Sequence, residues 1–397
     1  MILTRSSKQK SLSWKKERRN NSKAGNISRF FIIVTLMMLL ALLISCQKKK
    51  TEEPLSISVN PSPYPTISES ENQDTGIIFL EKVITVNQRE NHMFLLSVNP
   101  DTVRIVPYLS FNKIYGYETL SDMVKRENAF GAVTSGFFYL YGQPSGLVVN
   151  NGTVISAGTG RFNSLIVEKG KAYFEKIKTG IYAKTENNEI LSIDVINAPF
   201  EDNIQSGAYN SYYGKTDRLD FEHTVIHIIG NNVMSVKKVF KEEEIPDEGY
   251  LLCFRTLPAY LMIKTGNLLT LVIEPSFEPG TNAYECSEMI VENGKNVAKD
   301  YDPWIGNLNQ YDPRTCVGID DDGNVVFIVI DGRQEGYSTG VTGKELADIC
   351  IEMNLKDVAM LDGGASAEMI VDKTIVNKLS YKNEERPLAG GFLIFID

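Results

Sequence analysis

The sequence predicts an α+β fold with mixed, mostly antiparallel sheets and few flanking helices. From Ile77 onward the apolar residues come in short runs, such as IIFLEKVI and LLTLVIEP, with turn signals between them. Such runs, joined by Lys-Gly or Gly-Asn-Asn, are typical of strands in hairpins. Only two stretches have a helical pattern, one near Thr119–Glu127 and one beginning at Thr342. With 397 residues, of which 43% are hydrophobic, the chain has enough apolar material for one large core or two smaller ones.

The second predicted helix has a defined start and one apolar face. Thr342 and Glu345 have the spacing of a capping box, in which each side chain binds the other residue's free backbone amide. Ile349 and Cys350 then follow Leu346 by three and four residues, a spacing that places all three on one side of a helix. The pattern therefore predicts a helix with one buried face.

Residues 1–45 have the composition of a lipoprotein signal peptide. They contain nine Lys or Arg residues and one acidic residue, and the apolar run Phe30–Ile44 has Thr35 as its one polar residue. This run is shorter than the roughly 20 residues of a membrane span but suits the core of a signal peptide. Leu43-Ile44-Ser45-Cys46 resembles a bacterial lipobox. We therefore predict lipidation at Cys46 and a body anchored to the bacterial cell membrane, outside the cytoplasm. An uncleaved signal anchor is the alternative.

Residues 46–76 are predicted to be a disordered tether between the anchor and the body. They contain four prolines among many Ser, Thr, Asn and Glu residues, and few apolar side chains. The whole chain has a formal net charge of −9 although residues 1–45 are basic, so the exported part is strongly acidic. An acidic body argues against a nucleic acid as the partner.

The cysteine and histidine spacing does not predict a metal centre. No Cys-x-x-Cys pair occurs, which disfavours structural zinc, and Cys316 and Cys350 are predicted to be buried thiols. A disulfide bond between Cys253 and Cys286 stays open as an alternative. His223 and His227 have the same parity along a predicted strand. They could be metal ligands, but the preferred interpretation is a solvated strand face.

Two Asp-Gly turns mark the predicted site. The apolar strand Val325–Ile330 ends in Asp331-Gly332-Arg333, and the apolar run Val358–Leu361 ends in Asp362-Gly363-Gly364. In α/β units, the carboxyl ends of neighbouring strands meet at one crevice. A glycine after each Asp lets a ligand approach the backbone closely. We therefore predict that both aspartates lie in one site, although a turn-capping role for each is the alternative.

Three arginines accompany these turns and indicate the chemistry of the ligand. Arg333 is part of the first turn, and Arg314 and Arg386 occur near the two turns in the pattern. Arg binds phosphate through two hydrogen bonds, and Asp binds sugar hydroxyls or acts at the anomeric carbon. This residue set predicts an anionic, polyhydroxy substrate. The acidic run Asp320–Asp322 lacks the spacing of a calcium loop and is predicted to be a hairpin turn.

The order of these motifs resembles that of the phosphodiester glycosidase family, over about 270 residues. The residues that carry the resemblance are Ala132–Phe138, Ile245–Tyr250, Val291–Gly294, Pro313–Gly318, Asp331–Arg333 and Leu361–Ser366. The resemblance implies a family domain over residues 127–397, preceded by N-terminal strands of the same body in residues 77–126. Two segments depart from the family pattern, namely Thr134-Ser135-Gly136 and Cys286-Ser287-Glu288.

The resemblance implies hydrolysis of a sugar-1-phosphodiester at the glycosidic carbon–oxygen bond. No cofactor and no metal-binding residue are predicted, and metal dependence stays open. Phosphate is a good leaving group, so carboxylates suffice and a histidine is dispensable. Asp331 or Asp362 is predicted to be the base or nucleophile. The predicted substrate-binding and phosphate-binding residues are Arg314, Thr315, Gly332, Arg333, Gly363, Gly364, Ser366 and Arg386.

Two alternatives to this activity stay open. One is a phosphodiesterase that cleaves the phosphorus–oxygen bond. The other is a catalytically inactive lipoprotein of the same fold that binds glycans or acts as a scaffold, which the departures at Ser135 and Ser287 favour.

Overall fold

The structure, a computed structural model, describes residues 57–60 and 76–396. The predicted signal peptide, Cys46 and most of the predicted tether lie outside these residues. Within the described part of the chain, no helix is both long and apolar enough to span a bilayer.

The fold is mainly β, and the predicted α+β class is wrong. Strands account for 45% of the described residues and helices for 9%. The α-helices of the described residues are α1 (Leu120–Glu127) and α2 (Gly343–Glu352), at the two places that the sequence predicted. Two short helices cannot cover this much sheet, so the sheets bury most of their apolar faces against one another. The sequence pattern identified the helices but overstated their share of the fold.

Both helices begin after a threonine cap, of which the sequence predicted the one at Thr342. Thr119 precedes α1, and its side chain accepts a hydrogen bond from the backbone amide of Asp122. Thr342 precedes α2, and Thr342 and Glu345 form the reciprocal bonds of the predicted capping box. The caps satisfy amides that have no partner within the helix.

The largest sheet carries the candidate site at one end of its central strands. Its eight strands are β1 (Ile57–Asn60), β2 (Ile77–Val86), β3 (Arg89–Val98), β19 (Met289–Glu292), β20 (Lys295–Asn296), β23 (Arg314–Ile319), β24 (Val325–Ile330) and β25 (Asp357–Met360). Their order across the sheet is β1-β2-β3-β24-β23-β25-β19-β20. Because β23 pairs antiparallel with both β24 and β25, these two strands run in the same direction and end on the same side.

A second sheet of five strands joins the N-terminal and C-terminal parts of the body. Its strands are β4 (Val103–Leu109), β5 (Gly131–Thr134), β26 (Met369–Val371), β27 (Thr374–Ile375) and β28 (Gly390–Ile396), in the order β27-β26-β5-β28-β4. The last strand, β28, pairs along its whole length with β4. The N-terminal strands are therefore integral to the sheets that carry the site.

The other strands of the described residues form two five-stranded sheets, a three-stranded sheet and a short ribbon. One five-stranded sheet contains β6 (Val148–Asn150), β7 (Thr153–Ser156), β8 (Ser164–Glu168), β9 (Lys171–Glu175) and β18 (Asn282–Glu285). The other contains β12 (Val195–Ile196), β13 (Ser206–Tyr209), β14 (His223–Ile229), β15 (Asn232–Val239) and β16 (Tyr250–Phe254). The three-stranded sheet contains β10 (Gly180–Thr185), β11 (Ile190–Ser192) and β17 (Leu269–Glu274), and the ribbon contains β21 (Tyr301–Asp302) and β22 (Gly306–Asn307).

The main core lies where three sheets meet. Phe327 of β24 and Phe392 of β28 are 5.3 Å apart between ring centroids, and Tyr284 of β18 is 5.6 Å from Phe392. On the other face of the eight-stranded sheet, α2 buries Leu346 and Ile349 in a separate cluster. The central strands are thus buried on both faces, which fixes the backbone from which the site residues project.

Candidate active site

The two Asp-Gly turns lie side by side at the end of the eight-stranded sheet. Asp331 follows β24 directly, and Asp362 follows β25 after Leu361. Arg314, the first residue of β23, pairs with Ile330 at the same end. The sequence argument assumed parallel neighbours in an α/β unit. In the structure, the intervening antiparallel strand β23 gives β24 and β25 their common direction.

Asp362 has the surroundings of a reactive carboxylate. Its backbone amide donates to the carbonyl of Ser135 at 3.1 Å, which ties the turn to the end of β5. Its side chain is half-buried, and burial raises its pKa to about 6. A hydrogen bond from Ser366 and the positive charge of Arg386 act in the opposite direction. With this pKa, the Asp362 carboxyl is mostly ionised at neutral pH and becomes protonated as the solution turns mildly acidic.

Arg386 and Arg333 both lie against the turn that follows Asp362. Arg386 Nη1 donates to Ser366 Oγ at 2.7 Å. The Arg333 guanidinium lies against Gly364, with Nη2 3.3 Å from the position a Cβ atom would take there. Gly364 has φ +57°, a left-handed conformation that favours glycine. Two guanidiniums thus lie against the segment that carries Asp362.

Asp331 is enclosed by hydrogen-bond donors and is only 1% exposed. Asn377 Nδ2 donates to its Oδ1 at 3.0 Å, and the Tyr337 hydroxyl and the Lys378 amide donate to its Oδ2 at 3.2 and 2.9 Å. Burial raises its pKa to about 6, against the effect of these donors. The carboxylate therefore joins the turn after β24 to the segment around Lys378 and has little contact with solvent.

Arg314 is also buried, and its donors are used within the protein. Its Nε donates to the Val341 carbonyl at 3.1 Å and its Nη2 to the Gln310 carbonyl at 2.9 Å. Asp312 lies between it and Arg333, 3.8 Å from Arg314 Nη2 and 2.8 Å from Arg333 Nε. Since Arg314 is 1% exposed whereas the Arg333 side chain is 49% exposed, only Arg333 of this pair faces solvent.

The other predicted residues shape the turns. The Gly364 amide donates to the Pro313 carbonyl at 2.8 Å, so it is not free to bind a ligand, and the Gly363 amide donates to the Asp362 carboxylate. At Gly332 a Cβ atom would lie 2.7 Å from the Pro313 nitrogen, so glycine permits close packing of the two loops. Thr315 is fully buried, and its Oγ1 has no hydrogen-bond partner among the described residues.

Three site residues were not found from the sequence. The hydroxyl of Tyr284 lies beside Ser135 and Asp362, and burial, reinforced by the Asp362 charge, raises its pKa to about 12. Glu368 is buried near Glu385, and burial followed by the interaction with Glu385 raises the pKa of Glu368 to about 9. Glu385 directly precedes Arg386, so the Glu-Glu-Arg-Pro segment was the available signal; Tyr284 is an ordinary strand residue in sequence.

A separate buried cluster contains the one group of metal-ligating side chains found among the described residues. His223 Nε2 lies 2.9 Å from Asp217 Oδ2, and Cys253 Sγ is 3.4 Å from the same oxygen. His223 Nδ1 lies 2.7 Å from the Phe221 carbonyl. The structure thus buries His223 rather than placing it on a solvated strand face. Its direct bonds to Asp217 and Phe221 satisfy both ring nitrogens without a metal.

The cysteines of the described residues are all free and buried. Cys316 and Cys350 lie 3.7 Å apart between sulfur atoms, in the core between α2 and the large sheet, which confirms that they are buried thiols. Cys253 and Cys286 do not form the disulfide bond that the sequence left open.

Residues 224–395 match the family model for phosphodiester glycosidases. The resemblance is confirmed. All the predicted catalytic and binding residues, from Arg314 to Arg386, lie inside this match. The phosphodiester glycosidase match does not reach Ser135 or the aromatic segment after it, although Ser135 binds the amide of Asp362.

Other proteins of known sequence or structure are similar to this chain. The SPbeta prophage-derived uncharacterized protein YomE of Bacillus subtilis is 27% identical over 99 residues, which are 25% of this chain and only 15% of that protein. A hypothetical protein from Synechocystis has a TM-score of 0.69 at 17% identity, over 86% of this chain and 68% of that one. A putative exported protein from Burkholderia pseudomallei has a TM-score of 0.62 at 18% identity, over 78% and 74%.

Proposed function

We propose that this protein hydrolyses a sugar-1-phosphodiester at the glycosidic carbon–oxygen bond, on cell-surface or extracellular glycans. The supporting observation is the turn from Asp362 to Ser366, which carries a half-buried carboxylate and has Arg333 against Gly364 and Arg386 on Ser366. Guanidiniums bind phosphate through charge-assisted hydrogen bonds, and a carboxylate serves the reacting anomeric carbon. The family match supports a hydrolase of this class.

In the proposed reaction, ionised Asp362 accepts a proton from the attacking water. The water oxygen bonds to the anomeric carbon while the bond from that carbon to the phosphodiester oxygen breaks. The electron pair of the broken bond leaves with the phosphate, which becomes a phosphomonoester, and the sugar is released. Arg333 and Arg386 stabilise the negative charge of the leaving phosphate.

We assign a positioning role to Asp331. Its carboxylate accepts three hydrogen bonds and holds the backbone two residues before Arg333. Arg333 has φ +61°, which is uncommon for a residue with a side chain, so its orientation depends on a well-held turn. Asp362, the more exposed of the two carboxylates, is the one that faces the substrate.

The bond that breaks is tested by hydrolysis in 18O-water of a panel of sugar-1-phosphodiesters. Carbon–oxygen cleavage leaves the phosphomonoester without 18O, whereas a phosphodiesterase adds one 18O to the phosphate. Released reducing sugar gives the rate. Asp362→Asn is expected to abolish the rate, and Asp372→Asn is the matched control, since Asp372 is exposed in the turn between β26 and β27. Glycan binding with no released sugar on any substrate would favour the inactive scaffold.

We also propose that Cys46 is lipidated and holds the body on the outer face of the cell membrane. The support is the basic and apolar leader that ends in Leu43-Ile44-Ser45-Cys46. Two or more acyl chains give stable anchoring, since each buried CH2 contributes about 0.8 kcal/mol. Cys46→Ala should abolish incorporation of labelled palmitate. Equal labelling of the variant would contradict the proposal.

A further inference from the structure

A row of aromatic contacts leads away from Asp362 along the surface. Arg386, which holds Ser366, lies 5.9 Å from the centroid of the Phe138 ring. Tyr117 meets Phe138 edge to face at 5.7 Å between centroids. Phe138 follows Ser135, whose carbonyl binds the Asp362 amide, by three residues. The aromatic side chains are therefore continuous with the proposed reaction site.

A second group of aromatic rings lies along the same segment. Tyr139 meets Trp304 edge to face at 5.2 Å, and Trp304 is stacked on Phe137 at 5.9 Å between centroids. Phe137 is buried and supports the indole from below, whereas Tyr139 is 50% exposed. We call Tyr117, Phe138, Tyr139 and Trp304 together the aromatic rim.

The loops that carry the rim hold large side chains in solvent. Tyr117 is 41% exposed and Tyr141 is 73% exposed. Phe111 and Tyr141 have φ of 53° and 71°, which is costly for bulky residues. The Gly116 amide donates to the Tyr141 carbonyl at 2.8 Å, so the two loops brace each other. Exposed aromatic surface on a braced, strained backbone is typical of a binding site.

An open cleft of about 570 Å3 continues the rim on its Tyr117 side. Its walls are apolar at Phe111, Tyr117 and Pro387, and Pro387 directly follows Arg386. The rest of the cleft is lined by the polar residues Glu118, Thr119, Asp122, Lys125 and Arg126. The size falls within the roughly 300–1,000 Å3 of small-molecule sites. Flat apolar walls beside hydrogen-bonding groups match a sugar ring, which has apolar C–H faces and hydroxyls around its edge.

The negative net charge of the body favours neutral glycans over polyanionic ones. The formal net charge is −9 for the whole chain although residues 1–45 contribute +8, so residues 46–397 carry −17 and the body is strongly acidic. Such a surface repels a polyanion at long range. A neutral glycan with an occasional phosphodiester link is negatively charged only at that link, where Arg333 and Arg386 can bind the phosphate.

We propose that the aromatic rim binds sugar rings of a neutral glycan chain next to the scissile phosphodiester. The substrate is then an oligosaccharide or polysaccharide rather than a small sugar phosphodiester. This inference rests on the proposed function for the position of the scissile bond. The binding of sugar rings to the rim is a separate property and can be measured without turnover.

Tryptophan fluorescence gives a direct test, because the chain has only two tryptophans, Trp14 and Trp304. In the Trp14→Phe chain, the emission reports Trp304 alone, whether or not the predicted signal peptide has been removed. The probes are phosphate-free gluco-, manno-, galacto- and chito-oligosaccharides, from monosaccharide to hexasaccharide. We expect an emission change whose apparent Kd falls as the oligosaccharide lengthens from one ring to three.

Tyr117→Ala and Tyr139→Ala, each in the Trp14→Phe chain, should weaken this binding by about 3- to 10-fold. Tyr260→Ala is the matched control, since Tyr260 is 71% exposed and does not belong to the rim. The inference is overturned if no oligosaccharide changes the emission up to about 10 mM, or if both rim variants bind like the control. Because the probes have no scissile bond, a chain that binds them without hydrolysing phosphodiesters refutes the proposed reaction and not the rim.

Discussion

Replacing Asp362 by Asn is expected to abolish turnover and, with it, the acid limb of the pH–rate profile. Burial raises the pKa of Asp362 to about 6. A base must be ionised to accept a proton, so about a tenth of the molecules are competent at pH 5 and about nine tenths at pH 7. The wild-type kcat/KM should therefore fall close to tenfold for each pH unit well below 6.

Arg386 provides a second perturbation of the same limb. Its positive charge and its hold on Ser366 lower the pKa of Asp362, against the larger effect of burial. Arg386→Gln removes the charge, so the acid limb should move to higher pH by about one unit. Arg386→Lys keeps the charge and should move the limb less. Both variants should also have a lower kcat/KM on the plateau above the acid limb, because each replaces an arginine that is proposed to bind the phosphate.

A variant of Asp331 is needed to decide which aspartate causes the acid limb, because burial raises the pKa of Asp331 to about 6 as well. The assay is kcat/KM against pH for wild type, Asp331→Asn and residual activity of Asp362→Asn. We expect the limb near pH 6 to persist in Asp331→Asn at a lower plateau, since the Arg333 turn is disturbed. If the limb disappears from Asp331→Asn and persists in Asp362→Asn, the assignment of the two aspartates is reversed.

Three further predictions concern stability. Gly364→Ala and Gly294→Ala should each lower the free energy of unfolding in urea by about 1–2 kcal/mol, since both glycines have left-handed φ, of 57° and 71°. Only Gly364→Ala should also lower kcat/KM, because of these two glycines only Gly364 lies against Arg333. Thr342→Ala should cost about 1 kcal/mol with kcat unchanged, through loss of the α2 cap; a fall in kcat would mean that α2 affects the site. Burial and Glu385 raise the pKa of Glu368 to about 9, above its unfolded value, so wild type should lose stability as the pH rises from about 5 to 9. Glu368→Gln should flatten that decline, and an unchanged slope would contradict the assignment.

The sequence alone was informative where the physics is local. The capping box at Thr342 depends on two side chains three residues apart, and α2 begins where this box predicts. The Asp-Gly turns follow continuous apolar strands, so the two aspartates could be located at strand ends before the sheet order was known. The motif order also resembles that of the phosphodiester glycosidase family, and the family model matches residues 224–395.

The predicted fold class was wrong because a local sequence pattern does not show how many sheets pack against one another. The sequence found two helices, but only the packing of sheet against sheet around Phe327 and Phe392 shows how little of the core they cover. Direction of strands is also a tertiary property. That β24 and β25 end on the same side depends on β23 lying between them, which no segment of sequence specifies alone.

The roles within the site were likewise decided by tertiary structure. Arg314 and Arg333 are the same residue type near matching turns, yet one is bound to backbone carbonyls in the interior and the other faces solvent. Asp331 and Asp362 are both aspartates before glycine, yet three donors enclose the first while the second meets Ser366 and the charge of Arg386. The sequence determined which residues are present at the strand ends. Burial and the available hydrogen-bond donors, which depend on contacts between distant segments, decided what each of them can do.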